Sequence, residues 1–561
     1  MSVQRCDVLV IGSGAGGLSA AVTAAWHGLK VVVAEKEAVF GGTTAWSGGW
    51  IWAPLNPLAK RSGIVEDIDA PRTYLRHVLG NNFDEVRVNA FLEAAPQMVA
   101  FFEEKTALQF QDGNRICDTY GTVPGAGTGG RSVIAAPYDA RGLGNLVKRL
   151  RHPLRETTFL GMTLQAGADL GAFMSVTRSP RALGYVARRL GRHVVDLAVY
   201  RRGMQLRNGL ALVGRLLRSA ADLGVDLRES SPAIRLIYES GSVRGAVLRT
   251  RQGEVEVRAS RGVVLAAGGF PHDPERRQAL FPANDQHLAL AVLSATGDGL
   301  RLGESVGGIV DTTLAAPGAW CPVSLVPFPD GSIGRFPHII ERGKPGIIGV
   351  LANGRRFCNE GNGYHDYVSA MLAAVPKGEE VASWLICTRA FQRRYGLGIA
   401  RPAPVPVEPL IKSGYIKVGQ TISELALICG IDPDGLERTL AEYNKHAREG
   451  RDPVFGRGST PYNRLQGDPD HKPNPCVAPI ERGPFYAVKV VPGSFGTFAG
   501  LKTDGSARVL NSTDRPIRGL YAVGTDMANV MGGHYPAGGI NLGPALTFGF
   551  IAGRHLASQP N

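Results

Sequence analysis

The spacing of apolar positions changes character several times along the chain. Residues 6–12 (CDVLVIG) are a short apolar run ending in glycine, 18–28 (LSAAVTAAWHG) is Ala-rich, and 30–35 (KVVVAE) is a second apolar run closed by an acid. Runs of this length bounded by glycine read as buried strands, so the first 36 residues predict strand, turn, helix and strand. Glycines break the longer apolar stretch 8–25, which therefore does not predict a membrane span. Farther on, 83–105 and 203–223 carry helical patterns, the second leading into a strand VDLRE. Residues 233–250 (AIRLIYESGSVRGAVLRT) predict a β-hairpin around Ser240-Gly241, and 262–270 (GVVLAAGGF) a buried strand closed by Gly268 and Gly269. From 315 to 337 prolines interrupt any period, and 401–409 and 461–484 are again Pro-rich, as linkers and surface loops are. Strand character returns at 519–524 (GLYAVG), and 542–557 (LGPALTFGFIAGRHLA) predicts a terminal helix.

The turn after the first strand is GSGAGG, with Gly12, Gly14 and Gly17 in GxGxxG register and Glu35 placed 23 residues after Gly12. Glycines there permit a tight turn and let a pyrophosphate approach the helix N-terminus, where free N–H groups and the helix dipole favour anions; Glu35 can accept hydrogen bonds from a ribose. A second match, Gly125 to Gly130 (GAGTGG), follows Tyr-Gly-Thr-Val-Pro rather than an apolar strand and reads as a loop. Without a second fingerprint the chain has no built-in nicotinamide domain, which argues against a nicotinamide-driven reductase. The expected fold is α/β: a three-layer, Rossmann-like dinucleotide domain whose last strand and helix come from the C-terminus, bracketing an inserted α+β domain. No internal repeat is evident.

Composition sharpens this picture. The 561 residues exceed one ordinary domain, and 44% apolar with 20% charged residues exclude a disordered or fibrous chain. Glycine, at 73 residues, is nearly twice as frequent as the usual ~7%, which fits many close backbone approaches to a large ligand. Seven cysteines without a CxxC argue against a disulfide framework and fit a reducing cytoplasm. The start has no basic segment or cleavage site of a signal peptide. Of the net charge of +13, +11 falls between Lys148 and Arg218, with one Lys and 13 Arg against three acids. The plain interpretation is a solvated helical face. Apolar residues woven between the arginines also suit a helix lying on an anionic membrane, so 150–205 is a candidate for peripheral docking on the inner face of the cell membrane. Zinc-finger spacing and RNP-like aromatics are absent, so nucleic acid is not an expected partner.

The ordered series GxGxxG…Glu35, GGTTAWSGG (41–49), LAAGGF (265–270), TGDG (296–299), NGRRFCNE (353–360) and GLYAVG (519–524) resembles the flavoprotein superfamily of fumarate reductases, succinate dehydrogenases and 3-ketosteroid dehydrogenases. The resemblance covers nearly the whole chain, most weakly at 150–205. It implies FAD held by an FAD-binding domain of residues 1–302 plus 488–561, with a catalytic domain of residues 303–487 closing over the isoalloxazine. It makes Gly12, Gly14, Ala15, Gly17, Glu35, Lys36, Thr43, Thr44, Ser47, Gly48, Gly49, Ala233, Gly268, Asp298, Gly524, Asp526 and Leu542 cofactor candidates. The histidine that tethers FAD in succinate dehydrogenases has no counterpart, since no His lies between 28 and 76, so the FAD is expected to be non-covalent.

Two departures select a branch. Fumarate reductases place a proton-donating arginine after Asn-Glu and three intervening residues, where this chain has Tyr364, and a second carboxylate-binding arginine near the C-terminus, where 533–553 has none. A dicarboxylate substrate wants bidentate guanidinium groups, so its loss counts against succinate or fumarate. The stretch MGGHYPAGGINLGPALTFGFIA is instead similar to the 3-ketosteroid Δ1-dehydrogenase signature. By that likeness Tyr535 O–H and Gly539 N–H hold the C3 carbonyl, Tyr364 takes the C2 proton, Tyr120 tunes Tyr364 and FAD accepts the C1 hydride, to be reoxidised by an external acceptor. His534 reads as structural. The rivals are a Δ4-(5α)-dehydrogenase, a reductase of unsaturated acids and a non-enzymatic flavin-dependent partner protein.

Overall fold

The computed structural model describes residues 2–559. The predicted strand–helix–strand unit is present as Ser2–Ile11, Ala15–Trp26 and Val31–Ala34. Its strands pair in parallel, Val8 with Val31 through Ile11 with Ala34, and extend a sheet that also takes Asp226–Arg228 and Gly253–Leu265. The C-terminal strand Pro516–Ala522 joins the same sheet in parallel with Gly253–Leu265. The terminal helix Leu542–Ser558 returns across the first helix: Ser19 Oγ donates to Leu546 O at 2.6 Å, and a Cβ on Gly549 would stand 2.5 Å from Gly16 O. Small residues on both helices permit that approach and seat the C-terminus against the nucleotide-binding turn. This is the mixed α/β, Rossmann-like architecture expected.

The hairpin forms as Ala233–Glu239 and Ser242–Thr250, its turn at Ser240 (φ +50°) and Gly241 (φ +73°). Two positive φ values in a two-residue turn match the right-handed twist of the flanking strands. The third strand is longer than its apolar signal: Gly253–Leu265 lies parallel to Ser2–Ile11 from Val255 to Leu265, and its polar first half also pairs antiparallel with Ser242–Thr250.

A second sheet contains Gly318–Pro327, Ile333–Pro337, Ile347–Val350, Ser383–Thr388 and Phe485–Thr497. The first two correct the irregular interpretation of 315–337. Gly318–Pro327 is buried on both faces along most of its length, so it shows no alternation, and its Pro322 stands opposite Pro492. Phe485–Thr497 crosses the expected boundary at 487/488, and Leu288–Ala289 pairs with it from the expected FAD-binding side.

The helix expected at 203–223 starts only at Asn208, because Gln205–Leu206 pairs with Tyr138–Asp139. The helix expected at 83–105 spans Glu85–Lys105, capped by Asp84. Residues 125–130 form an irregular loop, as expected of the second GxGxxG match. No helix among the described residues is long and apolar enough to cross a membrane.

Candidate active site

One cavity of about 1660 Å³ runs between the two sheets. Ordinary ligand pockets hold ~300–1,000 Å³, so this one has room for a large cofactor and a second molecule. Gly12, Gly14, Ala15, Glu35, Lys36, Thr43, Thr44, Ser47, Gly48, Gly49, Ala233, Gly268, Asp298, Gly524 and Leu542 all line it.

The sequence explains the shape of this wall. Gly12 has φ +108°, and a Cβ there would stand 2.1 Å from Ala266 O, so only glycine fits. Thr44 Oγ1 accepts from Ala15 N at 3.0 Å and so pins the GGTTAWSGG loop to the start of the first helix. Thr43 Oγ1 accepts from Val292 N at 3.2 Å. Glu35 Oε2 accepts from Ser13 N at 3.1 Å and Ser13 Oγ at 2.5 Å. Lys36 pairs with Asp298, whose carboxyl is held below its ordinary range by Lys36 and Arg301 against the effect of burial. At Gly42, Gly48 and Gly524 nothing lies within 4 Å of a built Cβ, so side chains there would project into the cavity. Bare glycine walls, a helix N-terminus and a buried carboxylate together fit FAD.

Two expected contacts lie behind this wall. A Cβ on Gly17 would meet Gly12 O at 2.2 Å, so its role is to close the helix onto the turn. Asp526 is fully buried and accepts from Ala267 N at 2.5 Å and Gly269 N at 2.8 Å. Burial pushes its pKa up to about 6. It shapes the Ala267–Gly269 loop rather than facing the cavity.

Tyr364 and Tyr535 line the same cavity. Tyr364 begins the helix Tyr364–Ala374, directly after the NGRRFCNE stretch. That stretch is fixed by Glu360, which is buried and takes Gly349 N at 3.0 Å, Arg356 Nε at 2.8 Å and Arg457 Nη1 at 3.2 Å. Burial would raise the Glu360 pKa, but Arg356 and Arg457 prevail and lower it. The Tyr364 and Tyr535 rings meet edge to face, centroids 4.9 Å apart. Burial pushes both phenols up; the neighbouring Tyr535 hydroxyl raises Tyr364 further.

Gly539 completes the group. Its φ is +100°, and a Cβ would stand 2.7 Å from Trp52 N and 2.8 Å from Trp50 C. Its carbonyl accepts from Trp52 N at 3.2 Å. The strand Trp50–Trp52 is in turn fixed by Trp52 Nε1, which donates to Asp118 Oδ1 at 3.0 Å, and Asp118 pairs with Arg131 at 2.5 Å. The Gly539 N–H has no protein partner among the described residues and is available at the cavity wall.

Tyr120 departs from expectation. Its hydroxyl donates to Asp366 Oδ1 at 2.7 Å, and the residue does not line the cavity. Asp366 lies in the first turn of the Tyr364 helix, and burial pushes its pKa up to about 6. Tyr120 thus reaches Tyr364 through the helix that carries it. His534 does not line the cavity. Residues missed from sequence include Tyr462, buried in the cavity wall within the Pro-rich 461–484, and His365, whose ring tilts over Tyr535 with centroids 5.8 Å apart. Burial depresses His365 to about 3, so it is a neutral ring there.

The basic segment is part of the site. Leu164–Leu170, Phe173, Met174, Val176, Tyr185, Val186 and Leu190 line the cavity. Several of its arginines serve the protein interior: Arg189 pairs with Asp169 at 2.8 Å, Arg202 donates to Val147 O at 2.6 Å, and Arg215 donates to Ala107 O at 2.7 Å. The helix Pro180–Tyr200 nevertheless exposes Leu183, Val194, Val195 and Val199 beside Arg181, Arg188 and Arg192.

Comparison with known proteins agrees with this geometry. The FAD binding domain family model matches residues 7–542. The chain belongs to that flavoprotein family. The flavoprotein is 41% identical to the 4-oxocyclohex-2-ene-1-carboxylate 5-dehydrogenase of Sinomonas cyclohexanicum over 98% of this chain and 94% of that protein. It is 34% identical to the 3-oxosteroid 1-dehydrogenase of Mycobacterium tuberculosis over 100% and 99% of the two chains. It superimposes on the 3-ketosteroid Δ1-dehydrogenase of Sterolibacterium denitrificans, in complex with 1,4-androstadiene-3,17-dione, with a TM-score of 0.91 and 35% identity over 99% and 100% of the two chains. The flavoprotein is an FAD-dependent oxidoreductase.

Proposed function

We propose that this flavoprotein introduces the C1–C2 double bond into the A ring of 3-ketosteroids. The observation that carries this reading is the convergence of Tyr364, Tyr535 and the unpaired Gly539 N–H on one cavity that also carries the glycine-rich lining suited to FAD. Residues 1–302 and 488–561 hold the cofactor, 303–487 close over it, and Phe485–Thr497 is the seam between them. No histidine or cysteine lines the cavity among the described residues, which supports non-covalent FAD. When bound, the flavin supplies the hydride acceptor and passes the electrons to an external acceptor.

The protein supplies position and field. Tyr535 O–H and Gly539 N–H polarise the ketone; one such donor contributes ~3–4 kcal/mol to the developing oxyanion. Tyr364 takes the proton from the adjacent carbon. A ketone α proton lies roughly ten pKa units above an ordinary phenol, a gap of ~14 kcal/mol, so two donors narrow it without closing it. Simultaneous departure of the β hydrogen makes up the remainder. Raising the Tyr364 pKa by burial strengthens the base but lowers its ionised fraction at neutral pH. Tyr120 acts through Asp366, which orients the first turn under Tyr364.

A second reading, that the substrate is a cyclic 4-oxo carboxylate, is favoured by the 41% identical relative and by Lys344 and Arg401 in the cavity wall. Both cations are already engaged with backbone carbonyls, Lys344 with Gly467 O at 2.7 Å and Arg401 with Thr158 O at 2.8 Å, so the steroid reading is preferred. We further propose cytoplasmic placement, with the exposed face of Pro180–Tyr200 touching anionic membranes. Anaerobic mixing with a 3-keto-4-ene steroid, a 5α-saturated steroid, 4-oxocyclohexanecarboxylate and succinate tests the assignment. Rapid flavin bleaching by the steroids, with a C1–C2 alkene as product, is expected. Bleaching by the carboxylate alone, or a C4–C5 alkene, would overturn it.

A further inference from the structure

The Tyr535 hydroxyl can serve a ketone only when its proton points at the ketone, and a phenol rotor needs something to hold it there. The Tyr535 oxygen accepts from Asn541 Nδ2 at 3.2 Å. The Tyr364 ring lies against that of Tyr535 edge to face, centroids 4.9 Å apart. With Asn541 donating to its oxygen, the Tyr535 proton has no hydrogen-bonded acceptor among the described residues and is left to the cavity, which both Tyr535 and Asn541 line. The Asn541 backbone is anchored: its carbonyl accepts from Ala545 N at 3.2 Å at the start of the C-terminal helix. Its Oδ1 is buried with no partner.

Reversing that amide would present an acceptor to Tyr535. The hydroxyl would then donate to Asn541 and be lost to the ketone. We infer that Asn541 is a positioning residue, whose amide N–H fixes the Tyr535 rotor so that its proton faces the substrate carbonyl. This rests on the assignment of Tyr535 as a carbonyl donor, and the experiment separates the two.

Holoenzymes carrying Asn541→Asp, Asn541→Leu and Tyr535→Phe are compared. An ionised aspartate only accepts and captures the Tyr535 proton, whereas a protonated one can donate as asparagine does. Asn541→Asp should therefore lose ~10²–10³ in kcat at pH 8, the cost of one oxyanion donor, with KM nearly unchanged, and should recover as pH falls. Asn541→Leu should lose about tenfold with no such recovery. A readout independent of turnover is the carbonyl stretch of a bound dienone product. It should be red-shifted in the wild type and move back toward its solution frequency in Asn541→Asp at pH 8, as far as in Tyr535→Phe. Wild-type kcat and stretch in Asn541→Asp, with both lost in Tyr535→Phe, would overturn the role of Asn541. Wild-type behaviour of Tyr535→Phe would overturn the donor assignment itself. Should Asn541→Asp fail to retain FAD, a folded Asn541→Leu with the wild-type stretch overturns the inference, and one with a shifted stretch supports it.

Discussion

Replacing Gly539 by alanine tests the carbonyl-binding turn with the smallest possible change. A Cβ at this position would stand 2.7 Å from Trp52 N, 2.8 Å from Trp50 C and 2.9 Å from Ile51 N, whereas ordinary contact begins near 3.4 Å. All three are backbone atoms of a strand that pairs with Ser132–Ala135 and is tied through Trp52 to Asp118. The strand is the stiffer side, so the turn carrying Gly539 must retreat by about 0.5–0.7 Å. The positive φ adds ~1–2 kcal/mol, and overpacking costs ~1–3 kcal/mol, for a stability loss of about 2–5 kcal/mol. Moving the N–H matters more, because a displacement of ~1 Å at a reacting group can cost ~10² in rate. Gly539→Ala is therefore expected to lose about ten- to a hundredfold in kcat while keeping its FAD. Steady-state kinetics, thermal melting and flavin content measure the three quantities. Gly378→Ala, at φ +95° with nothing within 4 Å, isolates the conformational cost on the surface. A Gly539→Ala enzyme with wild-type kcat would refute the reasoning.

Further outcomes follow from the same geometry. Because burial holds Tyr364 well above an ordinary phenol, its ionised fraction, and with it kcat/KM, should rise with pH throughout pH 6–9 without a plateau; a plateau by pH 7 would contradict this. Thr44→Val leaves Ala15 N–H unpaired at the helix start, a cost of ~1–3 kcal/mol, and should weaken FAD retention tenfold or more, read from flavin fluorescence on dilution. Tyr120→Phe removes the donor to Asp366 and should lower kcat about tenfold, far less than the ~10²–10⁴ expected for loss of a general base; equal losses in Tyr120→Phe and Tyr364→Phe would show direct participation. Binding to anionic vesicles should fall with salt and with Val195→Glu, and salt-insensitive or absent binding would remove the membrane role.

The nucleotide-binding unit was legible because its contacts are local: a strand, a glycine turn, a helix and an acid within 36 residues. The hairpin was legible for the same reason, since Ser240-Gly241 fixes its own turn. What escaped depends on distant partners. Gly318–Pro327 is buried on both faces and so lacks the alternation that marks a strand. The polar half of Gly253–Leu265 is a strand because its neighbour supplies the pairing. Tyr120 sits beside a motif, but its partner Asp366 lies 246 residues away. Asn541 gives no sign by composition; its meaning comes from the 3.2 Å to Tyr535. Asp526 stood in the right motif yet acts from behind the wall, a distinction that order along the chain cannot express. The basic segment's charge was plain, whereas its folding into the cavity wall required the tertiary contacts of Arg189, Arg202 and Arg215.

The central claim is that Tyr364 removes a proton beside a ketone polarised by Tyr535 and Gly539. Exchange of the steroid C2 hydrogen with deuterated water, followed anaerobically in the holoenzyme by mass spectrometry, reports that step without requiring hydride transfer to be completed. The wild type should incorporate deuterium at C2, Tyr364→Phe should retain FAD and steroid binding but exchange ~10²–10⁴ times more slowly, and Tyr535→Phe should be slowed ~10²–10³. Exchange at the wild-type rate in Tyr364→Phe would contradict the account and pass the role of base to another group.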